Sequence, residues 1–438
     1  MPYTERNYDV AVFGAGVSGL CAAIQAARLG KRTLLVEKNG MIGGTMTMAA
    51  VDRPAMFHAW GRQIIRGIGW ELVERTLREC GSPAPEWKNL DTRDHVGGGI
   101  PVNPLIFAAV ADEVLAQCGA LLALHSMAAT VRFEEDAWRI LLAGKSGPRE
   151  IRASMLVDCT GDADLVALAG GGFQNSGECQ PASFSVLLGN YDPDRLDYAA
   201  LAAAMAEAAR KGELEPGDIW WPAGAFPESE TAQKTLLRYY LGRRGMNANH
   251  IAMPDADAPD ARTRLELAGR ASVLRAYRFL RKQPGLERLT LTPVGSECGV
   301  RESRRILGKV TVTEADYCGG RCFDDAVCYS FYPIDLHCMR SDLIVKHLPE
   351  NTLPTVPRGA LVPESLPRML VAGRSISSDR LANSALRIQA TCMATGQAAG
   401  ALAALAEKAA GDAMAVPVED LRRILREHDA IVPPELSR

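Results

Sequence analysis

The segment from Asp9 to Lys38 constrains the fold more than any other part of the chain. A short run of strand-forming residues, Asp9 to Phe13, leads directly into Gly14, Gly16 and Gly19. Glycines at this spacing permit a tight turn, let a phosphate approach the backbone and let the following helix pack on the strand. The free N–H groups at the start of that helix attract a pyrophosphate. The segment therefore predicts a βαβ unit that binds a dinucleotide.

The second half of the unit predicts which nucleoside is bound. We expect the helix to run from about Val17 to Leu29 and to stop at Gly30, and a second strand over Thr33 to Val36 ends at Glu37. A carboxylate at that position accepts both ribose hydroxyls of an adenosine and disfavours a 2′-phosphate. The predicted dinucleotide contacts of the unit are Gly14, Ala15, Gly16, Ser18, Gly19, Glu37 and Lys38.

A glycine pair just after the second strand favours FAD over NAD. Gly43, Gly44 and Thr45 would let the backbone pass tightly beside a long, extended cofactor, and the alternative is an ordinary glycine-rich turn. The other glycine runs, 97–99 and 170–172, are not followed by an acid-terminated strand. A reductase with a second dinucleotide unit for NAD(P)H is therefore disfavoured.

Four further motifs follow in a fixed order: LVDCTGDADL (156–165), GVRESRRILG (299–308), FYPIDLH (331–337) and the long segment 369–400. With the first unit, they resemble the FAD-dependent oxidoreductases of the glutathione-reductase-like (GR2) flavoprotein superfamily, which are related to fumarate reductase flavoproteins. The resemblance implies FAD as cofactor and an α/β fold, in which a Rossmann-like FAD-binding domain of GR2 type is interrupted by an α+β substrate or cap domain. The cofactor contacts that it implies are Ala128, Thr160, Gly161, Asp162, Gly373, Arg374, Gly396 and Gln397.

The C-terminal segment makes physical sense without the resemblance. A strand ends at Ala372, Gly373 and Arg374, and a helix rich in small residues is expected to begin near Gly396. The positive end of its dipole would favour the negative charge of a reduced flavin. The alternative is a close-packed alanine and glycine helix that contacts no ligand.

The 438-residue length predicts more than one domain. We expect the FAD-binding domain over 1–175 and 360–438, with the cap domain over 176–359. A helix is predicted at 104–118 and strands between 121 and 157, while long helices are predicted at 196–211 and 262–282, separated by a stretch around Trp220 and Pro222.

Composition limits which partners the protein is expected to bind and in which compartment it is expected to be found. The net charge of −3 gives no basic field, so nucleic acid is not expected as a partner. Neither a leader nor an apolar run of bilayer length is visible, and a cytoplasmic protein without a membrane span is expected. The 11 cysteines are odd in number and contain no C-x-x-C pair. Five gather between Cys298 and Cys338, but their spacing matches neither common ferredoxin pattern, so buried thiols are expected rather than an iron–sulfur cluster, and no metal.

Two residues in the FYPIDLH motif are candidates for proton transfer. Asp335 and His337 lie two apart, so on a strand they share a face, where the carboxylate would hold the imidazole as a proton acceptor. The alternative is a structural hydrogen-bonded pair. Arg387 is predicted to face an anion or the flavin. Arg301, Arg304 and Arg305 have helical spacing and would either clamp a carboxylate or form a salt-bridged surface.

Other polar residues have weaker claims. Asn383 and Ser384 would donate hydrogen bonds near the cofactor or cap a helix. His58 follows the Gly43–Gly44 loop closely enough for a covalent link to the flavin to be considered beside an ordinary loop role.

The sequence thus predicts an FAD-dependent oxidoreductase that transfers a hydride between a small polar substrate and flavin N5. His337, supported by Asp335, is the predicted base, and Arg387 and Arg304 are predicted to anchor an anion. One alternative is a reductase of an activated double bond fed by an external donor. Another is a flavin-holding subunit that exchanges electrons with a protein partner. The electron acceptor and a homo-oligomeric state are left open.

Overall fold

The fold is described from a computed structural model, which covers residues 6–219, 226–227, 229–253, 258, 260–338 and 343–436. The stretch around Trp220 and Pro222, which the sequence predicts to separate two helices, lies outside these described residues.

The described residues contain eighteen strands. In chain order they are Asn7–Phe13 (β1), Thr33–Val36 (β2), His58–Ala59 (β3), Arg62–Gln63 (β4), Leu121–Ala123 (β5), Ser126–Glu134 (β6), Ala137–Gly144 (β7), Arg149–Asp158 (β8), Phe173–Gln174 (β9), Val186–Gly189 (β10), Gly245–Met246 (β11), Thr290–Pro293 (β12), Arg305–Ile306 (β13), Ala326–Tyr329 (β14), Ile334–Leu336 (β15), Ile344–Lys346 (β16), Thr355–Pro357 (β17) and Met369–Val371 (β18).

The same residues form twelve α-helices and five short 3₁₀ turns. The helices are Val17–Arg28 (α1), Thr45–Met48 (α2), Ile68–Glu79 (α3), Pro104–Cys118 (α4), Asp164–Leu168 (α5), Tyr198–Arg210 (α6), Glu230–Gly242 (α7), Ala261–Leu280 (α8), Glu314–Cys318 (α9), Arg380–Leu386 (α10), Gln389–Ala406 (α11) and Val418–Glu427 (α12). The 3₁₀ turns are Trp87–Asn89, Pro193–Arg195, Arg358–Leu361, Glu407–Ala409 and Ala413–Ala415.

A seven-stranded sheet in the order β5-β2-β1-β8-β7-β6 organises the fold, with β18 also paired to β8. Strands β5, β2, β1, β8 and β18 are parallel, and Val12 in β1 aligns with Leu35 in β2 and Val157 in β8. Because the carboxyl ends of parallel strands meet at one edge, the loops after β1, β2, β8 and β18 converge there. This sheet confirms the predicted Rossmann-like α/β fold.

Two buried clusters cover the faces of the main sheet. One contains α1, α3, α4 and α11, and the other lies under the β6–β7 hairpin around Trp138 and Val131. α1 and α11 approach so closely that a Cβ added at Gly396 would lie 2.1 Å from the Ser18 carbonyl oxygen. Contact at this distance excludes any side chain at the position, so the glycine is required by packing.

A separate hydrophobic cluster lies between Ala182 and Val300 and is formed largely by α6, α7 and α8. Residues 312–356, in contrast, contribute to the same cluster as the helices that pack on the seven-stranded sheet. The domain limits 1–175, 176–359 and 360–438 remain predictions. Within the part of the chain that the structure describes, no helix is long and apolar enough to cross a bilayer.

Local predictions differ from the structure in several places. Residues 299–304 form a loop leading into β13, so the prediction that the three arginines lie on a helix is wrong. The C-terminal helix begins at Gln389 and not near Gly396. Helices α3, α7, α10 and α12 were not among the predicted helices.

Candidate active site

One continuous cavity of about 990 Å³ follows the carboxyl edge of the sheet. Its wall includes Glu37 after β2, Asp162 after β8 and Arg374 after β18, and it also includes His337 and Arg387. Ligand pockets generally measure about 300–1,000 Å³, so this cavity has room for a long ligand and a small molecule beside it.

The glycine-rich turn forms the wall at the first strand. Gly14 has φ +89°, and a Cβ there would lie 2.5 Å from the Cys159 carbonyl oxygen. Gly16 precedes α1, whose first turn holds neither a side-chain cap nor an acidic residue. The N–H groups of that turn are thus available to an anion at the cavity wall, as a pyrophosphate requires.

Glu37 is buried at the end of β2, and burial raises the pKa of its carboxyl. Its Oε2 accepts a hydrogen bond from the Ala15 N–H at 2.7 Å, and its Oε1 accepts one from the Asn39 N–H at 2.9 Å. Ala15 therefore positions the acid rather than lining the cavity. Lys38 lines the cavity and pairs with Glu297 at 3.4 Å.

The glycine pair packs directly on the glycine-rich turn. The Gly43 N–H donates to the Ala15 carbonyl at 2.7 Å, and a Cβ on Gly44 would lie 2.8 Å from the Gly16 Cα. Gly44 and Thr45 line the cavity. The close passage of the two loops leaves no room for larger residues.

The loop after β8 is held by charge. Asp162 accepts hydrogen bonds from Arg374 Nη2 at 2.7 Å and Ser303 Oγ at 2.6 Å, and Arg262 of α8 also pairs with it. Although burial opposes ionisation, the charges of Arg374 and Arg262 hold the pKa of Asp162 well below its usual range. Thr160, Gly161 and Gly373 line the cavity beside this cluster.

Several predicted cofactor contacts lie off the cavity wall, and the structure gives them other surroundings. Gly19 and Gly396 are packing glycines, because a Cβ would lie 1.8 Å from the Gly14 oxygen and 2.1 Å from the Ser18 oxygen, respectively. Gln397 accepts a hydrogen bond from the Ile68 N–H at 3.0 Å and donates to Gln25. The predicted contacts outside the lining are Ala15, Gly19, Gly43, Ala128, Gly396 and Gln397, whereas Ser18 is part of it.

The start of α11 does meet the cavity, through Ile388, Gln389 and Cys392. The positive end of the helix dipole therefore lies near Gln389, about two turns before Gly396.

Arg304, predicted to anchor an anion, is not part of the cavity wall. Its Nη1 donates to Asp164 Oδ1 at 3.2 Å and to the Asp162 carbonyl at 3.3 Å, and its guanidinium lies over the Phe173 ring. Arg305 is buried against Glu302 at 2.8 Å. Of the three neighbouring arginines, Arg301 alone lines the cavity.

Three further candidates also differ from expectation. His58 is fully buried off the cavity with its ring stacked on Trp87, so a covalent flavin link there has no support. Asn383 donates to the Arg374 carbonyl at 2.8 Å. Ser384 accepts from the Asp335 N–H at 3.1 Å, so both residues position cavity residues from behind.

Asp335 and His337 do share a face, at the end of β15. The His337 Nε2 lies 3.2 Å from Asp335 Oδ2, and both residues line the cavity. Burial and the positive charge of Arg301 lower the pKa of His337 to about 4, although Asp335 opposes this shift. The Asp335 pKa lies well below its usual range, because the bond from His337 and the charge of Arg387 outweigh burial. The pair is thus a neutral imidazole on an ionised carboxylate.

Two guanidinium groups accompany this pair. Arg301 Nη1 donates to the Pro181 carbonyl at 2.7 Å and to Ser183 Oγ at 2.9 Å. Arg387 Nη2 donates to Gln180 Oε1 at 3.3 Å and to the Asp335 carbonyl at 3.4 Å. Burial and the nearby Arg387 lower the pKa of Arg301 to about 10. The hydrogen bonds that Arg301 and Arg387 donate all go to uncharged oxygens.

Two residues at this end of the cavity were not indicated by the sequence. His250 lines the cavity and packs edge-on against the His337 ring with 5.0 Å between centroids. Gln180 lies behind the cavity wall and accepts a hydrogen bond from the His337 backbone N–H at 3.3 Å. Both come from the segment between the main motifs, where no local pattern indicates a site. Among the described residues, no three His, Cys, Asp or Glu side chains come together as metal ligands.

The parallel sheet, the glycine-rich turn and the acid after β2 define a dinucleotide-binding α/β protein, and comparison with known proteins gives its family. The family model described as FAD dependent oxidoreductase matches residues 9–425. The chain belongs to this family. It is an oxidoreductase whose cofactor is FAD, and the cavity fits that cofactor at the residues described above.

Individual relatives match more locally. Digeranylgeranylglycerophospholipid reductase 2 of Methanothermobacter thermautotrophicus is 25% identical over 44% of this chain and 50% of its own length. Dihydrolipoyl dehydrogenase of Trypanosoma brucei brucei is 47% identical over 12% of this chain and 11% of its own. The matches thus span half of the first relative's length and about a tenth of the second's.

Two solved structures are similar over nearly the whole chain. CabE, an aromatic hydroxylase from angucycline biosynthesis, is 13% identical over 96% of this chain and 66% of its own, with a TM-score of 0.44. A geranylgeranyl bacteriochlorophyll reductase-like protein from Thermoplasma acidophilum is 14% identical over 97% of this chain and 82% of its own, with a TM-score of 0.39.

Proposed function

We propose that the protein oxidises a small polar, anionic substrate by hydride transfer to flavin N5, with His337 as the proton acceptor. The observation that carries the proposal is the Asp335–His337 pair at 3.2 Å on the wall of the FAD cavity, next to Arg301 and Arg387. When bound, FAD would supply the acceptor for a hydride, which carries the two electrons of the oxidation.

The roles of the side chains follow from their contacts. Because Nε2 of His337 faces the ionised Asp335, this nitrogen carries the proton and Nδ1 presents its lone pair. Nδ1 is buried and has no hydrogen-bond partner among the described residues. Asp335 fixes the tautomer and stabilises the imidazolium that forms when Nδ1 takes a proton. Arg301 and Arg387 hold the anionic part of the substrate and keep His337 neutral beforehand.

The test is anaerobic single-turnover reduction of the oxidised enzyme by a panel of hydroxy acids, amino acids, amines and sugars. A general base contributes about 10²–10⁴-fold, so His337→Ala should slow bleaching of the flavin band by about that factor with FAD content unchanged. His347→Ala, on an exposed residue outside the cavity wall, is the matched control. If the flavin of the His337→Ala variant were bleached at the wild-type rate, His337 would not be the proton acceptor.

The reverse direction is tested in the same apparatus. Enzyme reduced beforehand with dithionite is mixed with activated alkenes, and recovery of the flavin band is followed. Recovery with alkenes, together with no bleaching by any member of the first panel, would replace the oxidase direction by the reductase alternative. Exchange of electrons with a protein partner only would support the electron-transfer alternative.

A further inference from the structure

The substrate end of the cavity carries an excess of positive charge. Arg301 and Arg387 are cations, Asp335 is an anion, and His337 is neutral at pH 7. The neighbouring Arg243 and Arg244 also line the cavity, against the rings of Tyr239 and Tyr191. Arg301, Arg387 and Asp335 together carry one net positive charge. A ligand that brings one negative charge between Arg301 and Arg387 would neutralise it.

Four buried polar atoms around this end have no partner among the described residues, and they are of two kinds. On the cavity wall, Arg387 Nε is a donor, whereas His337 Nδ1 and Gln389 Oε1 are acceptors, and Gln180 Nε2 is a further donor behind the wall. Buried polar atoms without partners are costly, so they indicate where a ligand completes the hydrogen bonds. The donors require an oxygen that accepts, and the acceptors require an O–H or N–H that donates.

A carboxylate with a hydroxyl group on the adjacent carbon supplies one group of each kind, an anionic acceptor and a single O–H donor. Its carboxylate oxygens accept from the guanidinium groups, in the planar geometry that arginine favours. Its hydroxyl donates to His337 Nδ1. An amino acid meets them less well, because its zwitterion brings no net charge and places an ammonium beside Arg301 and Arg387.

We propose that this end of the cavity is a binding site for 2-hydroxy carboxylates, which names the substrate class of the function proposed above and rests on it. Oxidation of such a compound removes a hydride from C2, for which FAD is the oxidant, and a proton from the hydroxyl, which His337 accepts. The C2–O bond becomes a carbonyl, and a 2-oxo acid is left. Of the three arginines considered as carboxylate clamps in the sequence, Arg301 lines the cavity and anchors the carboxylate together with Arg387.

The experiment measures binding without turnover. The probe is 2-hydroxyisobutyrate, which has no hydrogen on C2 and cannot be oxidised, and it is compared with 2-aminoisobutyrate and with the uncharged 2-hydroxyisobutyramide. Each is titrated into the oxidised holoenzyme, and the flavin difference spectrum and the heat of binding are recorded. We expect the hydroxy acid to bind at least about 10-fold more tightly than either comparison compound, since it alone forms the charged contact and the hydroxyl contact together.

The variants locate the site. Arg387→Gln and Arg301→Gln should each raise the Kd of 2-hydroxyisobutyrate by about 10- to 100-fold, and Arg387→Lys should give an intermediate loss because the charge stays. Arg278→Gln, on an exposed residue of α8, should leave the Kd unchanged. FAD content and melting temperature are measured for each variant. Should a glutamine variant fail to fold, the lysine variant and the comparison compounds still decide.

Each outcome has one meaning. Equal binding of the amide, tighter binding of the amino acid, or no binding of the hydroxy acid overturns the substrate class. Charge-dependent binding of 2-hydroxyisobutyrate without bleaching by any oxidisable 2-hydroxy acid keeps the binding site and removes the proposed oxidation. Bleaching by uncharged compounds, without hydroxy acid binding, keeps the oxidation and removes this site.

Discussion

The His337 ring and the Asp335 carboxylate meet at 3.2 Å within a group that also holds two cations, Arg301 and Arg387. Asp335 and Arg301 therefore act on the pKa of His337 in opposite directions. Asp335 stabilises the protonated imidazole, while burial and Arg301 destabilise it, and the second influence is larger because the pKa falls to about 4. An anion bound between the arginines would cancel part of that second influence. If His337 is the base, as proposed, it would be weakest before an anionic substrate arrives and would strengthen when the substrate binds.

The first prediction is a low acidic limit for activity. Because the kcat/KM profile reports the free enzyme, its acidic limb should lie near the His337 pKa of about 4. The kcat limb should lie at higher pH, since the bound anion raises the pKa. The charged and titratable groups around the ring are Asp335, Arg301, Arg387, His95, His250 and Tyr332. Arg301→Gln should move the kcat/KM limb upward, and Asp335→Asn should move it downward.

The same shift has a consequence for stability. In the unfolded chain a histidine has a pKa of about 6.5, so between that pH and about 4 the unfolded state binds more protons than the folded state. Stability contributed by neutral His337 is therefore present above about pH 6.5 and is lost as the pH falls toward 4. Denaturant midpoints of wild type and His337→Gln, measured from pH 7 to pH 4, should converge as the pH falls. Parallel curves would contradict the assigned shift.

The second prediction concerns the adenosine end of the cavity. Glu37→Gln removes the carboxylate charge and replaces one of its two acceptor oxygens by an NH₂ group. The two carboxylate oxygens accept from the Ala15 and the Asn39 N–H, and an NH₂ group cannot accept either bond. The same substitution weakens the predicted acceptance of the ribose hydroxyls, and loss of one charged hydrogen bond to the ligand costs about 1.5–3 kcal/mol, so we expect the Kd for FAD to rise by about 10- to 100-fold. Fluorescence titration of the apoprotein with FAD measures it. Glu74→Gln on the outer face of α3 is the control, and an unchanged Kd in the Glu37 variant would argue against a ribose role.

The third prediction separates a packing glycine from a cofactor glycine. In Gly396→Ala the new methyl group would lie 2.1 Å from the Ser18 carbonyl oxygen, so α11 must move away from α1. Overpacking of this kind costs about 1–3 kcal/mol, which should lower the urea midpoint. In the part of the protein that stays folded, the flavin spectrum should keep its wild-type shape, because Gly396 is not on the cavity wall. A changed flavin spectrum in a variant of wild-type stability would instead support the predicted contact between Gly396 and the cofactor.

The sequence was most informative where one local pattern determines one local shape. The glycine-rich turn, the strand 33–36 and the helix 104–118 lie where they were predicted, since strand, turn and cap signals within about thirty residues fix them. Asn103 even caps that helix through its side chain. Asp335 and His337 likewise share a face as their spacing predicted, because a strand places alternate residues on one face.

Where distant segments meet, the sequence was a poor guide. Arg301 and Arg304 are three residues apart and look alike in the sequence, but one extends to Ser183 in the cavity and the other pairs with Asp164. Their difference depends on segments more than a hundred residues away, which no local period encodes. The start of α11 was misplaced because no side-chain cap marks it in the sequence, and Ile388 stands at the N-cap position.

The last prediction concerns the cluster that joins the cofactor loop to the rest of the molecule. Asp162 pairs with Arg374 after β18 and with Arg262 at the start of α8, so it links three distant parts of the chain. Its side chain is 19% exposed, and Asp162→Asn would leave two guanidinium groups without their anion. Breaking a buried pair costs about 3–5 kcal/mol, and partial exposure reduces this to about 1–3 kcal/mol.

The pH dependence identifies the charge as the cause. Because the Asp162 pKa is held well below its usual range, the stabilisation is present above the unfolded value of about 3.9 and is lost as the pH falls below it. The urea midpoints of wild type and Asp162→Asn should therefore differ most at pH 7 and approach each other toward pH 3. Asp164→Asn is the matched control. Partial burial and the neighbouring Asp162 charge raise the pKa of Asp164 to about 6, so removing its charge should cost little or nothing at pH 7. Equal losses in the two variants would show that the cluster contributes through shape and not through charge.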